Sequence, residues 1–268
     1  MYKPIIILFL FISLNSFGQH TLIKTIPVSK KAQLITDDLG NSYIYNELNI
    51  IKYNSIGDSI GLYSNNRLGS ISSVDVTNPY KIMVFYTDYA NIIFLDNFMS
   101  LMEEPLALDQ LGFDQVTLAC SSMENGLWLF DRLKQTVIKL NRDLSQSNKS
   151  INLSQLTGKQ SVPTLMLEQN SNLLLQTGKN GVLQFDQFGT FEKKLSVFTE
   201  SPIQVINKQV MYFENDTLFQ YNPNFTKLAF ITLPVINAKN ARISKDRLII
   251  LSENRLHIYQ YKAPKSEE

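Results

Sequence analysis

Catalysis needs a base, a nucleophile or a metal, and this 268-residue sequence offers few candidates for any of them. It holds two histidines and one cysteine. His20 lies near the N-terminus and His257 inside an apolar run; neither has a partner at the H-x-x-x-H spacing that directs two imidazoles onto one metal. His257 reads as a strand residue with a polar partner. Cys120 ends the apolar run 116–120 and reads as a buried small hydrophobe, and a lone cysteine closes no intramolecular disulfide. The G-x-S-x-G elbow, the Walker loop, G-x-G-x-x-G and the EF-hand loop are all absent from the sequence. No metal and no cofactor is expected. Any active site would have to be assembled from carboxylates far apart in the chain.

Those carboxylates recur at corresponding places. Glu47, Asp88, Asp131, Glu214 with Asp216, and Glu253 each stand beside the short polar turn of an apolar hairpin. The hairpins are 42–45 with 48–53, 81–86 with 91–96, 126–130 with 136–140, 172–176 with 181–186, 209–213 with 217–221, and 247–251 with 255–259. They return at intervals of roughly 35–46 residues, a period that belongs to β-propellers with one four-stranded sheet per repeat. Shorter apolar runs precede each hairpin, at 32–36, 71–76, 116–119, 164–167, 203–206 and 240–243. Others follow it, at 60–63, 105–108, 150–153, 193–197 and 228–233. The order is therefore strand A, B, C, D, with the last copy lacking its strand D.

The segment 22–28, Leu-Ile-Lys-Thr-Ile-Pro-Val, has no blade of its own. Placing it as the outer strand of the last blade pairs two otherwise open sheet edges and closes the ring. Pro27 is tolerable there, because an outermost strand has one edge that need not donate. The expected fold is all-β: a six-bladed propeller over 19–261, closed by residues 22–28, then a polar tail over 262–268.

Residues 1–18 read as a secretory signal peptide. Lys3 supplies the positive start, 5–14 is apolar but too short to span a bilayer, and Ser16-Phe17-Gly18 fits a cleavage site. The formal net charge of +1 and the lack of a basic block argue against nucleic acid as a partner. No transmembrane segment is expected in the mature chain. The periplasm is expected ahead of the cell surface or the medium.

The repeat, with turns such as Asp38-Leu-Gly-Asn41 and Asp186-Gln-Phe-Gly189, resembles the exported six-bladed β-propellers of the broad NHL, YVTN and quinoprotein-like type. The resemblance covers the mature chain and is architectural. It implies the fold and leaves the activity open, since propellers host enzymes, sensors and scaffolds.

In a propeller the turns between strands B and C share one face with the connections between blades, and strand A lines the channel. Asp88 and Asp131 then join an acidic rim suited to a cation, a basic peptide or a sugar, unless these acids simply favour solvated turns. Ser72 and Asp75 belong to the most polar strand-A region and could face the channel. Arg67, in a connection on the acidic face, could anchor a carboxylate. On the opposite face, the loop 97–104 carries Phe98, Met99, Leu101 and Met102, a candidate docking cluster. The leading expectation is a non-enzymatic, exported protein-interaction module that docks an envelope protein. The alternatives are a carbohydrate-active or small-molecule enzyme with acids at the channel mouth, or a ligand-binding sensor.

Overall fold

The computed structural model describes residues 20–224 and 227–262. The expected signal peptide, its cleavage point at Gln19 and most of the polar tail lie outside these residues. Strand β1 (Thr21–Pro27) comes first. Blade 1 is β2 (Gln33–Thr36), β3 (Ser42–Tyr45), β4 (Asn49–Tyr53) and β5 (Ser59–Ser64). Blade 2 is β6 (Ile71–Asp75), β7 (Ile82–Tyr86), β8 (Asn91–Leu95) and β9 (Leu106–Ala107). Blade 3 is β10 (Val116–Ser121), β11 (Leu127–Asp131), β12 (Thr136–Leu140) and β13 (Gln146–Lys149), followed by the single-turn helix α1 (Leu153–Thr157). Blade 4 is β14 (Leu165–Gln169), β15 (Asn172–Gln176), β16 (Val182–Phe185) and β17 (Phe191–Leu195). Blade 5 is β18 (Gln204–Ile206), β19 (Gln209–Glu214), β20 (Thr217–Asn222) and β21 (Lys227–Thr232). Blade 6 is β22 (Asn240–Ser244), β23 (Arg247–Leu251) and β24 (Arg255–Gln260), with β1 as its fourth strand.

The six sheets are antiparallel and run A to D from the channel outward. One apolar cluster fills each of the six gaps between neighbouring blades. This explains the unbroken apolar B strands. Alternate residues of a strand face opposite sides of its sheet. In β7, Ile82, Val84 and Tyr86 pack toward blade 1, while Met83 and Phe85 pack toward blade 3. In β11, Leu127 and Leu129 face blade 2, and Trp128 and Phe130 face blade 4. Cys120 is buried in the gap between blades 3 and 4, and burial pushes its thiol pKa up.

Ring closure by the N-terminal strand is as expected, with β1 paired to β24 from Thr21–Gln260 to Pro27–Arg255. The side chains that serve it differ from the simple alternation. A bulge between Leu22 and Lys24 turns Ile23 inward, so Ile23, Ile26 and Val28 pack against the closing cluster and Leu22 is 50% exposed. Gly57 in blade 1 makes room for this strand: a Cβ there would lie 3.1 Å from both Ile26 and Ile258. His257 adds a polar tie, with Thr25 Oγ1 3.1 Å from Nδ1 and Ser252 Oγ 3.1 Å from Nε2.

One outer strand departs from the sequence expectation. In blade 3 strand D is Gln146–Lys149, ahead of the apolar run 150–153, which leads into α1. In blade 2 strand D, Leu106–Ala107, lies within the expected run 105–108. An outer strand buries little, so its hydrophobicity is a poor guide to its position.

Candidate functional site

The strand order gives the ring two unlike faces. The base face carries the B–C turns and the connections between blades. The mouth face carries the A–B and C–D turns.

Most of the sequence-derived polar candidates lie on the base face, and there they hold the backbone. Asp88 accepts from Ser70 N at 2.9 Å and Ser72 Oγ accepts from Thr87 N at 2.9 Å, so these two come together across the entry to blade 2. Asp131 is buried, accepts from Lys134 N at 2.8 Å and pairs with Lys134 Nζ at 3.0 Å. Asp216 accepts from Asn237 N and Ala238 N at 3.0 and 2.7 Å. Glu47 pairs with Lys31 and Glu253 with Lys30, at 3.3 and 3.1 Å. Of the acidic rim, only Glu214 is exposed without a side-chain partner among the described residues. Arg67 is exposed, with its backbone N–H donated to Asn65 Oδ1 at 2.8 Å, and its guanidinium forms no ion pair among the described residues.

Asp75 is placed elsewhere. It is the last residue of β6 and pairs with Met83, at the opposite end of the blade from Asp88. Asp75, Asp88 and Asp131 therefore do not surround one mouth, as an acid–base site shared among them would require. Asp75 accepts from Thr77 N at 2.9 Å and from Ser121 N at 2.8 Å, tying the inner strands of blades 2 and 3.

The mouth face is built on a repeated five-residue C–D turn. In Asn54–Asp58, Asp96–Ser100 and Asp186–Thr190 the first side chain accepts from the third and fifth backbone N–H groups, at 2.8–3.1 Å. The fourth residue is left-handed: Gly57, Met99 and Gly189 have φ of 84°, 66° and 82°. Glycine adopts this region freely and methionine does not. Met99 is held there because its side chain is buried against Gly61 of blade 1, where a Cβ would lie 2.6 Å from Met99 Cγ. Met99 therefore anchors the loop and leaves the expected docking cluster. The third residue of each turn points outward, with Ile56, Phe98 and Phe188 at 52%, 77% and 57% exposure. Leu101 and Met102 are exposed beside Phe98.

Buried lysines fix these turns from the neighbouring blade. Lys52 donates from Nζ to Asn97 O at 2.8 Å and also to the Asn97 side chain. Lys139 donates to Gln187 O at 3.0 Å and pairs with Glu124 at 2.7 Å. Each spans one gap, from strand C of one blade to the C–D turn of the next.

The channel opens on the mouth face as a cavity of about 460 Å³, with Asp37, Asp38, Asp75, Gln204, Arg242 and Lys245 among its lining. A cleft of about 250 Å³ adjoins it across blades 2 to 4 and shares Thr77 and Gln169 with it. At the cleft floor lies Glu168, a buried carboxylate that accepts from Met123 N at 2.9 Å and Trp128 Nε1 at 3.0 Å. Lys81 lies at its edge, 4.0 Å over the Phe94 ring. Sequence reasoning missed Glu168 and Arg242, each a charged residue inside a buried strand. That mismatch of charge and burial is the signal that finds them. Among the described residues, no group of three or more His, Cys, Asp or Glu is placed to hold a metal ion, and no helix is long and apolar enough to cross a membrane.

These features define a closed six-bladed β-propeller with a cavity on its mouth face and a base face most of whose acids are internally bonded. No protein-family model matches the sequence, and no curated protein matches it. The similar solved structures are β-propeller proteins. Virginiamycin B lyase from Staphylococcus aureus aligns with a TM-score of 0.62 at 10% identity, over 91% of this chain and 100% of the lyase. A chain of the Mitotic Checkpoint Complex aligns at 0.54 and 10% identity, over 98% and 100%. BamB from Moraxella catarrhalis aligns at 0.50 and 9% identity, over 93% and 100%. At such identities the likeness concerns the fold alone.

Proposed function

We propose that this chain is an exported, non-enzymatic propeller that acts as a protein-interaction module. Its docking surface is the mouth face around Phe98, its compartment the periplasm, and its partner another protein of a bacterial envelope assembly. Propellers of similar shape include a lyase and a member of a multiprotein complex, so the choice rests on the site rather than the fold. The observation that carries it is the exposure of Phe98, at 77%, on a turn held by Asp96, Lys52 and the buried Met99. An apolar tip presented in one conformation loses little conformational entropy on docking.

The test is capture of the tagged mature protein from envelope extract, beside the double variant Phe98→Asp, Leu101→Asp. Wild type should recover one stoichiometric protein, and the variant should lose it with an unchanged melting temperature. Equal recovery by both would refute the docking face. Export is checked separately by mass spectrometry of the mature protein. A chain starting at or next to Gln19 is expected; an intact Met1 in the envelope fraction contradicts export.

A further inference from the structure

The channel holds a charge that the described chain leaves without a counter-charge. Arg242 lies on β22, the inner strand of blade 6, and is 5% exposed. Its Nε donates to Leu34 O of blade 1 at 3.1 Å. The two terminal nitrogens make no hydrogen bond or ion pair among the described residues, and Arg242 lines the channel cavity. Burial pushes its pKa down to about 10, opposed by the Tyr45 phenol.

The nearby channel acids are committed or distant in role. Asp37 accepts from Leu39 N, Asn41 N, Asn41 Nδ2 and Tyr43 OH at 2.7–3.0 Å. Asp75 is taken by two backbone N–H groups. Asp38 is exposed at the mouth. The amide of Gln204 is used on the strand edge: it donates to Ile243 O at 2.7 Å and accepts from Ile243 N at 3.3 Å. The free edge faces the channel cavity, where an anion can supply the counter-charge that a largely buried guanidinium otherwise lacks.

We propose that the channel is a binding site for a small ligand bearing one carboxylate, seated bidentate on the terminal nitrogens of Arg242. A planar carboxylate matches the guanidinium fork. The cavity, at about 460 Å³, falls in the range of small-molecule sites. Among the charged residues lining the cavity Asp37, Asp38 and Asp75 outnumber Arg242 and Lys245, a balance that disfavours a dianion such as phosphate and favours a ligand whose other end is cationic. A zwitterionic amino acid is the best match. This site goes beyond the docking face and does not depend on it.

Isothermal titration and thermal-shift measurements on the whole mature protein test this, with glycine, alanine, acetate and inorganic phosphate as probes. Saturable binding of the amino acids is expected, weaker for acetate and weakest for phosphate. Arg242→Met should remove it, and Arg242→Lys, which keeps the charge without the fork, should weaken it by roughly tenfold or more. The lysine variant keeps the test informative should the methionine variant fold poorly. Absence of binding by all four probes would overturn the proposal. So would equal binding to wild type and Arg242→Lys, or phosphate binding tighter than any carboxylate.

Discussion

Deleting residues 22–28 removes the strand that closes the ring. The magnitude follows from what β1 buries. Ile23, Ile26 and Val28 are each partly buried against the closing cluster, and their removal uncovers Leu256 and Ile258 on β24. A fully buried aliphatic side chain contributes about 1.5–3 kcal/mol, so three half-buried ones contribute roughly 2–4 kcal/mol. Newly exposed surface on β24 brings the loss to roughly 3–6 kcal/mol. The ion pair of Lys24 with Asp58, both substantially exposed, adds little. The strand's ladder hydrogen bonds and its ordering entropy oppose one another. Domains are stable by about 5–15 kcal/mol, so the loss removes a large share. It also exposes an unpaired strand edge, a template for aggregation. Thermal unfolding followed by circular dichroism, with size-exclusion chromatography, should show a much lower melting temperature and loss of the wild-type elution peak. A soluble deletion variant that elutes as the wild type does, with an unchanged melting temperature, would refute the closure argument.

Further expectations concern charge. Asp75→Asn, Asp88→Asn and Asp131→Asn should each complement a deletion strain, because the three acids hold backbone and lie on two different faces; a folded variant that fails to complement would favour the enzyme reading. Burial, helped by Arg255, depresses the His257 pKa below its ordinary 6.5. The unfolded chain therefore binds the extra proton more readily, and His257 contributes stability that is complete above pH 6.5 and is lost as pH falls through the depressed value. The wild-type melting temperature should fall between pH 7.5 and pH 5 by more than that of His257→Gln; parallel pH profiles would show that the ring carries no such linkage.

The blades were legible because the B strands are buried on both sides. Runs such as Ile82–Tyr86 and Leu127–Asp131 stay apolar through both alternating faces and announce themselves in any window. Most outer strands were legible too, at 60–63, 105–108, 193–197 and 228–233; the outer strand of blade 3 was not. Gln146–Lys149 is polar because it packs on little, and it is a strand only because β12 offers it an edge. The bulge that turns Ile23 inward in place of Leu22 is a local geometry that alternation alone does not reveal. The polar candidates were found by type: Asp75 does line the channel, but it ends its strand and so lies at the face opposite Asp88. The exposed loop residues Phe98, Leu101 and Met102 were readable as a cluster, but Met99 looked the same in sequence and is buried by a glycine in the next blade. Arg242 was hidden in a short strand whose neighbours, Ala241 and Ile243, are core residues.

The central claim is that the mouth face, and not the base face, meets a partner protein. Site-specific photo-crosslinking in intact cells tests it most directly, with the reactive side chain replacing Phe98 on the mouth face or Leu133 on the base face. Both positions are exposed, at 77% and 70%, so exposure does not bias the comparison. The account predicts one discrete crosslinked envelope protein from position 98 and none from position 133. A discrete product from position 133 alone would contradict it.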